Sequence, residues 1–189
     1  MSRLALPGRL LSLIPAYGKI AWWGMIAPRV RGRGPLVVQQ AVILDQGRVL
    51  LSVRADLRGW ELPGGNPERG ESDEQSLVRE VREETGLDVA VDSHVGDYTR
   101  TGLLPHVARV YRCRVLGGEL ETSLETPRVA WFPTARVPGT LLPWYREPLA
   151  DALAPSGVPV QRSEHQGLGA VLAGAWIDLR MRLSDHRAR

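Results

Sequence analysis

Three glutamates crowd one short stretch of this chain and limit what it can fold into. Arg79-Glu80-Val81-Arg82-Glu83-Glu84 places three carboxylates within five positions. At about 100° per helical residue, Glu83 projects roughly 60° to one side of Glu80 and Glu84 roughly 40° to the other. The segment therefore presents an acidic edge, and like charges at such spacing destabilise a bare helix by roughly a few tenths of a kcal/mol per pair. Two arrangements offset that repulsion. A hard divalent cation does so, because Mg²⁺ and Mn²⁺ prefer carboxylate oxygens. A solvated helix laced with Arg79 and Arg82 does so as well.

The flanks favour the cation. Leu62-Pro63-Gly64-Gly65 precedes the acidic segment, Gly70-Glu71 enters it and Thr85-Gly86-Leu87 closes it. The spacing is Gly, five residues, Glu, seven residues, then Arg-Glu-apolar-any-Glu-Glu-any-Gly-apolar. Gly65, Glu71, Arg79, Glu80, Val81, Glu83, Glu84, Gly86 and Leu87 fill it, nine placed residues over 23 positions. This is the Nudix box, and the chain resembles a Nudix hydrolase. The resemblance implies an α/β/α sandwich with a mixed sheet, the box helix on one face and a helix at 144–154 on the other. It also implies metal-dependent hydrolysis of a diphosphate linkage, in a nucleoside diphosphate joined to another moiety or in a nucleoside triphosphate.

The same resemblance distributes roles. Glu80, Glu83 and Glu84 match the family's metal-binding glutamates, for Mg²⁺ or Mn²⁺. Glu71 matches the box glutamate that assists them, and the Gly64 position supplies a backbone carbonyl ligand. Arg79 is expected to orient a box glutamate through an ion pair. Arg54 ends a strand eleven residues before Gly65, where relatives place an arginine on the substrate's phosphates. Glu125, six residues before Trp131-Phe132, resembles a downstream loop glutamate that acts as metal ligand or general base, and Glu121 competes for that role. Trp60 resembles a family aromatic that stacks on a base, although a core position suits it equally. Two other readings stand beside hydrolysis: a catalytically idle domain that senses a nucleotide, and an RNA-end pyrophosphohydrolase. The intact glutamate set argues against the first.

Composition narrows the partners. The chain has 189 residues, 43% apolar and 24% charged, with a net charge of only +3. That charge promises no broad basic track for nucleic acid, and the resemblance implies a small diphosphate, nucleotide-like ligand. Cys113 is the sole cysteine, which excludes an intrachain disulfide and a Cys-rich zinc site and suits a buried inert thiol. His94, His106, His165 and His186 show no ligand spacing. No run reaches the roughly 18 to 20 apolar residues that a membrane span needs, and the chain is read as cytoplasmic.

In order along the chain, residues 1–34 form an N-terminal extension, 35–154 the box-bearing domain and 155–189 a C-terminal extension. Strands are expected at 36–45, 48–54, 60–62, 87–91, 95–101, 106–115 and 129–132, with Gly117-Gly118 as a turn. The box helix should bury Ser76, Leu77, Val81 and Thr85, cap on Ser72 or Asp73 and end at a left-handed Gly86. A helix at 145–153 should turn Leu149, Ala152 and Leu153 to the core. Residues 166–183 carry Leu168, Val171, Leu172, Ala175, Trp176, Leu179 and Leu183 at helical spacing, a stripe that must bury against something. The expectation is a homodimer through this helix, with Trp22 and Trp23 contributing; the competing view is a cover over residues 1–34 of the same chain.

Overall fold

Strand β1 (Leu36–Asp45) shows why a sheet covered on both faces forms here. Ala41 and Ile43 enter one apolar cluster, while Val42 between them enters another. That is the period-two alternation of an extended chain. With both faces apolar, β1 pairs in parallel with β5 (His106–Gly118) from Leu36 opposite His106 to Leu44 opposite Arg114, as buried central strands do. The computed structural model describes residues 36–102, 105–154 and 157–185.

The sheet runs β3-β2-β1-β5-β4-β7, with β6 paired to β2. Here β2 is Arg48–Val53, β3 Trp60–Glu61, β4 Leu87–Gly102, β6 Arg128–Pro133 and β7 Val160–Gln166. Helix α1 (Asp73–Thr85) lies on one face and buries Leu77 and Val81 with Ala41, Ile43, Tyr111 and Cys113. Helices α2 (Arg146–Leu153) and α3 (Leu168–Asp185) add Leu149, Ala152 and Met181 to the cluster on the other face, beside Val42, Trp60, Tyr98 and Tyr145. The architecture is the expected mixed sheet between helices. Cys113 is buried, and burial pushes its thiol up to about 12, which makes it inert at neutral pH.

Several elements differ from the sequence reading. The two strand pieces at 87–91 and 95–101 are one strand, β4, with register shifts at Asp88/Val89, Val91/Ser93 and His94/Gly96. Each shift moves the alternation to the other face and masks continuity in the sequence. Gly117 and Gly118 do not turn the chain; they extend β5 against Asp88 and Leu87. Leu153 is exposed rather than core-facing, and Pro148 is buried in its place.

The sheet does not end before 155: β7 pairs in parallel with β4 over Gly96–Gly102. Its sequence, VQRSEHQ, carries almost no apolar signal because it is an edge strand with mostly exposed side chains. In α3 the inward face is Gly174, Asp178 and Met181, not the apolar stripe. Leu168, Leu172, Trp176 and Leu183 point outward and are exposed. Gly174 lets the helix approach Trp144, whose ring would lie 3.0 Å from a Cβ there. Trp22 and Trp23, the other expected dimer anchors, lie outside the described residues. Among the described residues no helix is long and apolar enough to cross a membrane.

This packing has a direct test. Gly174→Leu should destabilise the protein by about 1–3 kcal/mol in denaturant unfolding, because the added side chain meets Trp144. An unchanged midpoint would mean that α3 does not seat on this face. Light scattering on the full chain and on Trp176→Glu reads the homodimer expected through the outward ridge, as loss of a dimer in the variant. A monomeric parent chain removes that role.

Candidate active site

The loop between β3 and α1 is laid along the edge of β1. The Gln39 N–H donates to the Gly65 carbonyl at 2.9 Å and the Ala41 N–H to the Pro63 carbonyl at 2.8 Å. Gly64, between them, has φ 146°, and a side chain there would collide with the Gln39 carbonyl. Its N–H donates to Glu84 Oε2 at 3.0 Å. At Gly65 a Cβ would strike the Glu80 carboxyl. Two helix carboxylates thus approach backbone that only glycine leaves bare.

Helix α1 is fixed at both ends, so its acidic edge is held rigidly against this loop. Ser72 accepts from the Gln75 N–H, Gln75 accepts from the Ser72 N–H, and Gly86 closes the helix at φ 76°. Ser76, Leu77, Val81 and Thr85 are buried. Arg79 gathers the other box carboxylates. Its Nε and Nη2 donate to the two Glu71 oxygens at 2.8 and 2.9 Å, and Nη1 to Glu80 at 3.0 Å and Glu83 at 3.2 Å. This fork holds the Glu71 carboxyl down to about 2. Burial raises Glu80 against the pull of Arg79. Burial, with the charges of Glu80 and Glu125 added, pushes Glu84 up to about 7, although the Gly64 N–H and Arg54 oppose it.

Arg54 follows β2 and is clamped by Asp56, with Nε to Oδ1 at 3.0 Å and Nη2 to Oδ2 at 3.1 Å. Its charge lowers both Glu61 and Glu84, against the burial that raises them. The carbonyl of Glu125 accepts from the Ala55 N–H at 2.9 Å, which ties its loop to the end of β2. Glu121 is elsewhere: its N–H bonds the Thr85 carbonyl at the far end of α1. Trp60 is only 6% exposed and packs edge-on against Phe132 at 4.7 Å. Its ring sits in the core and is not presented to a base. His94 pairs with Asp97, and His106 and His165 contact Arg100 and Thr101. His186 lies outside the described residues.

Sequence reasoning overlooked Glu61. It is buried beside Trp60 in β3 and accepts from the Tyr145 hydroxyl at 3.1 Å, and burial pushes it up to about 8. The available signal was a carboxylate between two core residues, Trp60 and Leu62, where a charge is costly.

The donor chemistry of this edge fits a hard divalent cation. All the candidate ligands are oxygens, and crowding and burial drive Glu84 towards protonation, a strain that positive charge relieves. The ligands are gathered but not assembled: among the described residues no group of three or more His, Cys, Asp or Glu side chains is placed to hold a metal ion. Arg79 engages Glu71, Glu80 and Glu83, while Glu84 sits on Gly64.

The family model described as NUDIX domain matches residues 35–152. A MutT-like protein of Streptomyces ambofaciens is 40% identical over 139 residues, 72% of this chain and 87% of the relative. An ADP-ribose pyrophosphatase of Methanocaldococcus jannaschii is 33% identical over 110 residues, 55% of this chain and 65% of its own. Among solved structures, an ADP-ribose pyrophosphatase from Streptococcus suis superposes with a TM-score of 0.58 at 28% identity, over 69% of this chain and 100% of that one.

Glu61 gives the metal-free protein a defined response to pH. Between its ordinary value of 4.5 and about 8 the folded carboxyl holds a proton that the unfolded chain has released. Stability is therefore full below about 4.5 and declines as pH rises through about 8. Thermal melts in chelator from about pH 5 to pH 8.5 should show a falling midpoint, with a shallower fall in Glu61→Gln. Parallel curves for the two proteins would contradict this origin.

Proposed function

The chain belongs to the Nudix family of pyrophosphohydrolases, and from that premise we propose that it hydrolyses the diphosphate linkage of a nucleotide with a divalent cation bound at the α1 edge. The observation that carries this reading is the seating of Glu84 and Glu80 against the Gly64-Gly65 backbone, with the charges of Arg54 and Glu125 acting on Glu84. Glu80, Glu83 and Glu84 hold the cation, with Glu71 and the Gly64 carbonyl assisting. Mg²⁺ or Mn²⁺ bound there would neutralise the diphosphate oxygens and acidify the attacking water.

The remaining roles belong to the chain's own groups. Arg54 binds the substrate's phosphates and opposes their charge. Glu125, on a loop tied to Ala55, takes the proton of the attacking water. Arg79 orients Glu71, Glu80 and Glu83 and touches no substrate. The bond that breaks is a phosphorus–oxygen bond of the diphosphate, and water supplies the oxygen of one of two phosphorylated products. Nucleoside triphosphates and ADP-ribose are both candidates, because relatives bear each kind of activity in their names.

The test is a panel of nucleotide sugars, dinucleotides and nucleoside triphosphates with Mg²⁺ or Mn²⁺, read by product chromatography. Hydrolysis should require the metal. Glu83→Gln and Glu84→Gln should remain folded and lose most turnover. Glu125→Gln should lose roughly a hundredfold, the scale of a lost general base. Parent rates in both box variants would overturn the metal assignment, and a fully active Glu125→Gln would overturn the base.

A further inference from the structure

The inward face of α3 carries a carboxylate where a core residue would be expected. Asp178 is 1% exposed and accepts hydrogen bonds from Arg58 and Arg182. The backbone N–H of Arg58 donates to its Oδ1 at 2.7 Å, and Arg182 Nε, one turn along the helix, donates at 2.8 Å to Oδ2. Arg182 also reaches outward, its Nη2 donating to the Asp56 carbonyl at 3.2 Å. A buried carboxylate with an arginine partner costs desolvation that an apolar side chain avoids, so its presence points to a geometric duty.

The duty is visible in what the two residues hold. Together they pin the backbone at Asp56 and Arg58, on either side of Leu57. Asp56 turns its carboxylate back, accepting the Leu57 N–H at 2.9 Å and clamping Arg54 through Nε and Nη2. That clamp fixes the guanidinium plane and turns Nη1 away from Asp56. The helix, the loop and the arginine thus form one mechanical series that ends at Arg54, whose charge acts on Glu61 and Glu84.

We propose that Asp178 is a positioning residue for Arg54: α3 braces the 55–58 loop so that the guanidinium meets the substrate's diphosphate. The inference rests on the reading of Arg54 as a phosphate-binding group. Asp178 touches no substrate, so its effect passes wholly through Arg54. The C-terminal helix is on this account part of the substrate-binding apparatus, contributed by residues beyond the 35–152 match.

A double-mutant cycle on the full chain separates this from a purely structural role. With the best substrate of the panel, Asp178→Ala should raise KM roughly tenfold, with a smaller change in kcat. Arg182→Ala, at a partly exposed side chain, should raise KM in the same sense and guards against a misfolded Asp178 variant. In an Arg54→Ala background both substitutions should add nothing further to KM. If their effects multiply with that of Arg54→Ala, or if KM stays at the parent value in both single variants, the brace is overturned while the hydrolase reading survives. If Arg54→Ala itself leaves KM unchanged, the phosphate role of Arg54 falls and the brace falls with it.

Discussion

The site depends on the contact between the Gly64-Gly65 backbone and two carboxylates of α1. A carboxylate can lie against main chain only where no side chain intervenes, and the hydrogen bonds from Gln39 and Ala41 fix that main chain to β1. The sheet therefore sets the height of the loop, and the loop sets where Glu80 and Glu84 sit. The buried face of α1 supplies the opposing constraint, since Leu77 and Val81 cannot leave the core without cost. Between these two anchors the acidic edge has little room to relax. Its repulsion is met by the Arg79 fork on one side and by the Gly64 N–H on the other.

The same reasoning explains which parts of the protein were legible in the sequence. The caps of α1, its buried positions and the left-handed Gly86 follow from local rules, and the structure contains each of them. β1 and β2 were equally plain, because strands buried on both faces are written in apolar residues. Edge strand β7 was not, since nothing in VQRSEHQ has to be apolar. In α3 the apolar stripe does not mark the face that packs on the sheet: that face is built on Gly174 and Asp178, one needed for close approach and the other for hydrogen bonding. Helical periodicity finds apolar stripes and has no means of finding such a face.

Function was legible to a similar depth. The box identified the chemistry because its spacing reflects one demand, carboxylates on a rigid edge beside bare backbone. The groups around it come from distant segments, and only the fold brings them together. Glu61 reaches Tyr145 across 84 positions, and Arg58 reaches Asp178 across 120. Arg54 and Glu125 meet through the Ala55 backbone. Trp60, attractive as a stacking residue by its place beside the box, is consumed by the core it helps to build.

The divalent cation proposed at the α1 edge, held through Glu84, can be measured without any substrate. Calorimetric titration of Mn²⁺ into the metal-free protein at about pH 8, above the raised Glu84 value of about 7, should give saturable binding. Glu84→Gln should lose at least tenfold in affinity, an expectation of about 1.4 kcal/mol or more for one ligand. Equal Mn²⁺ affinity in the parent and in Glu84→Gln would contradict the account.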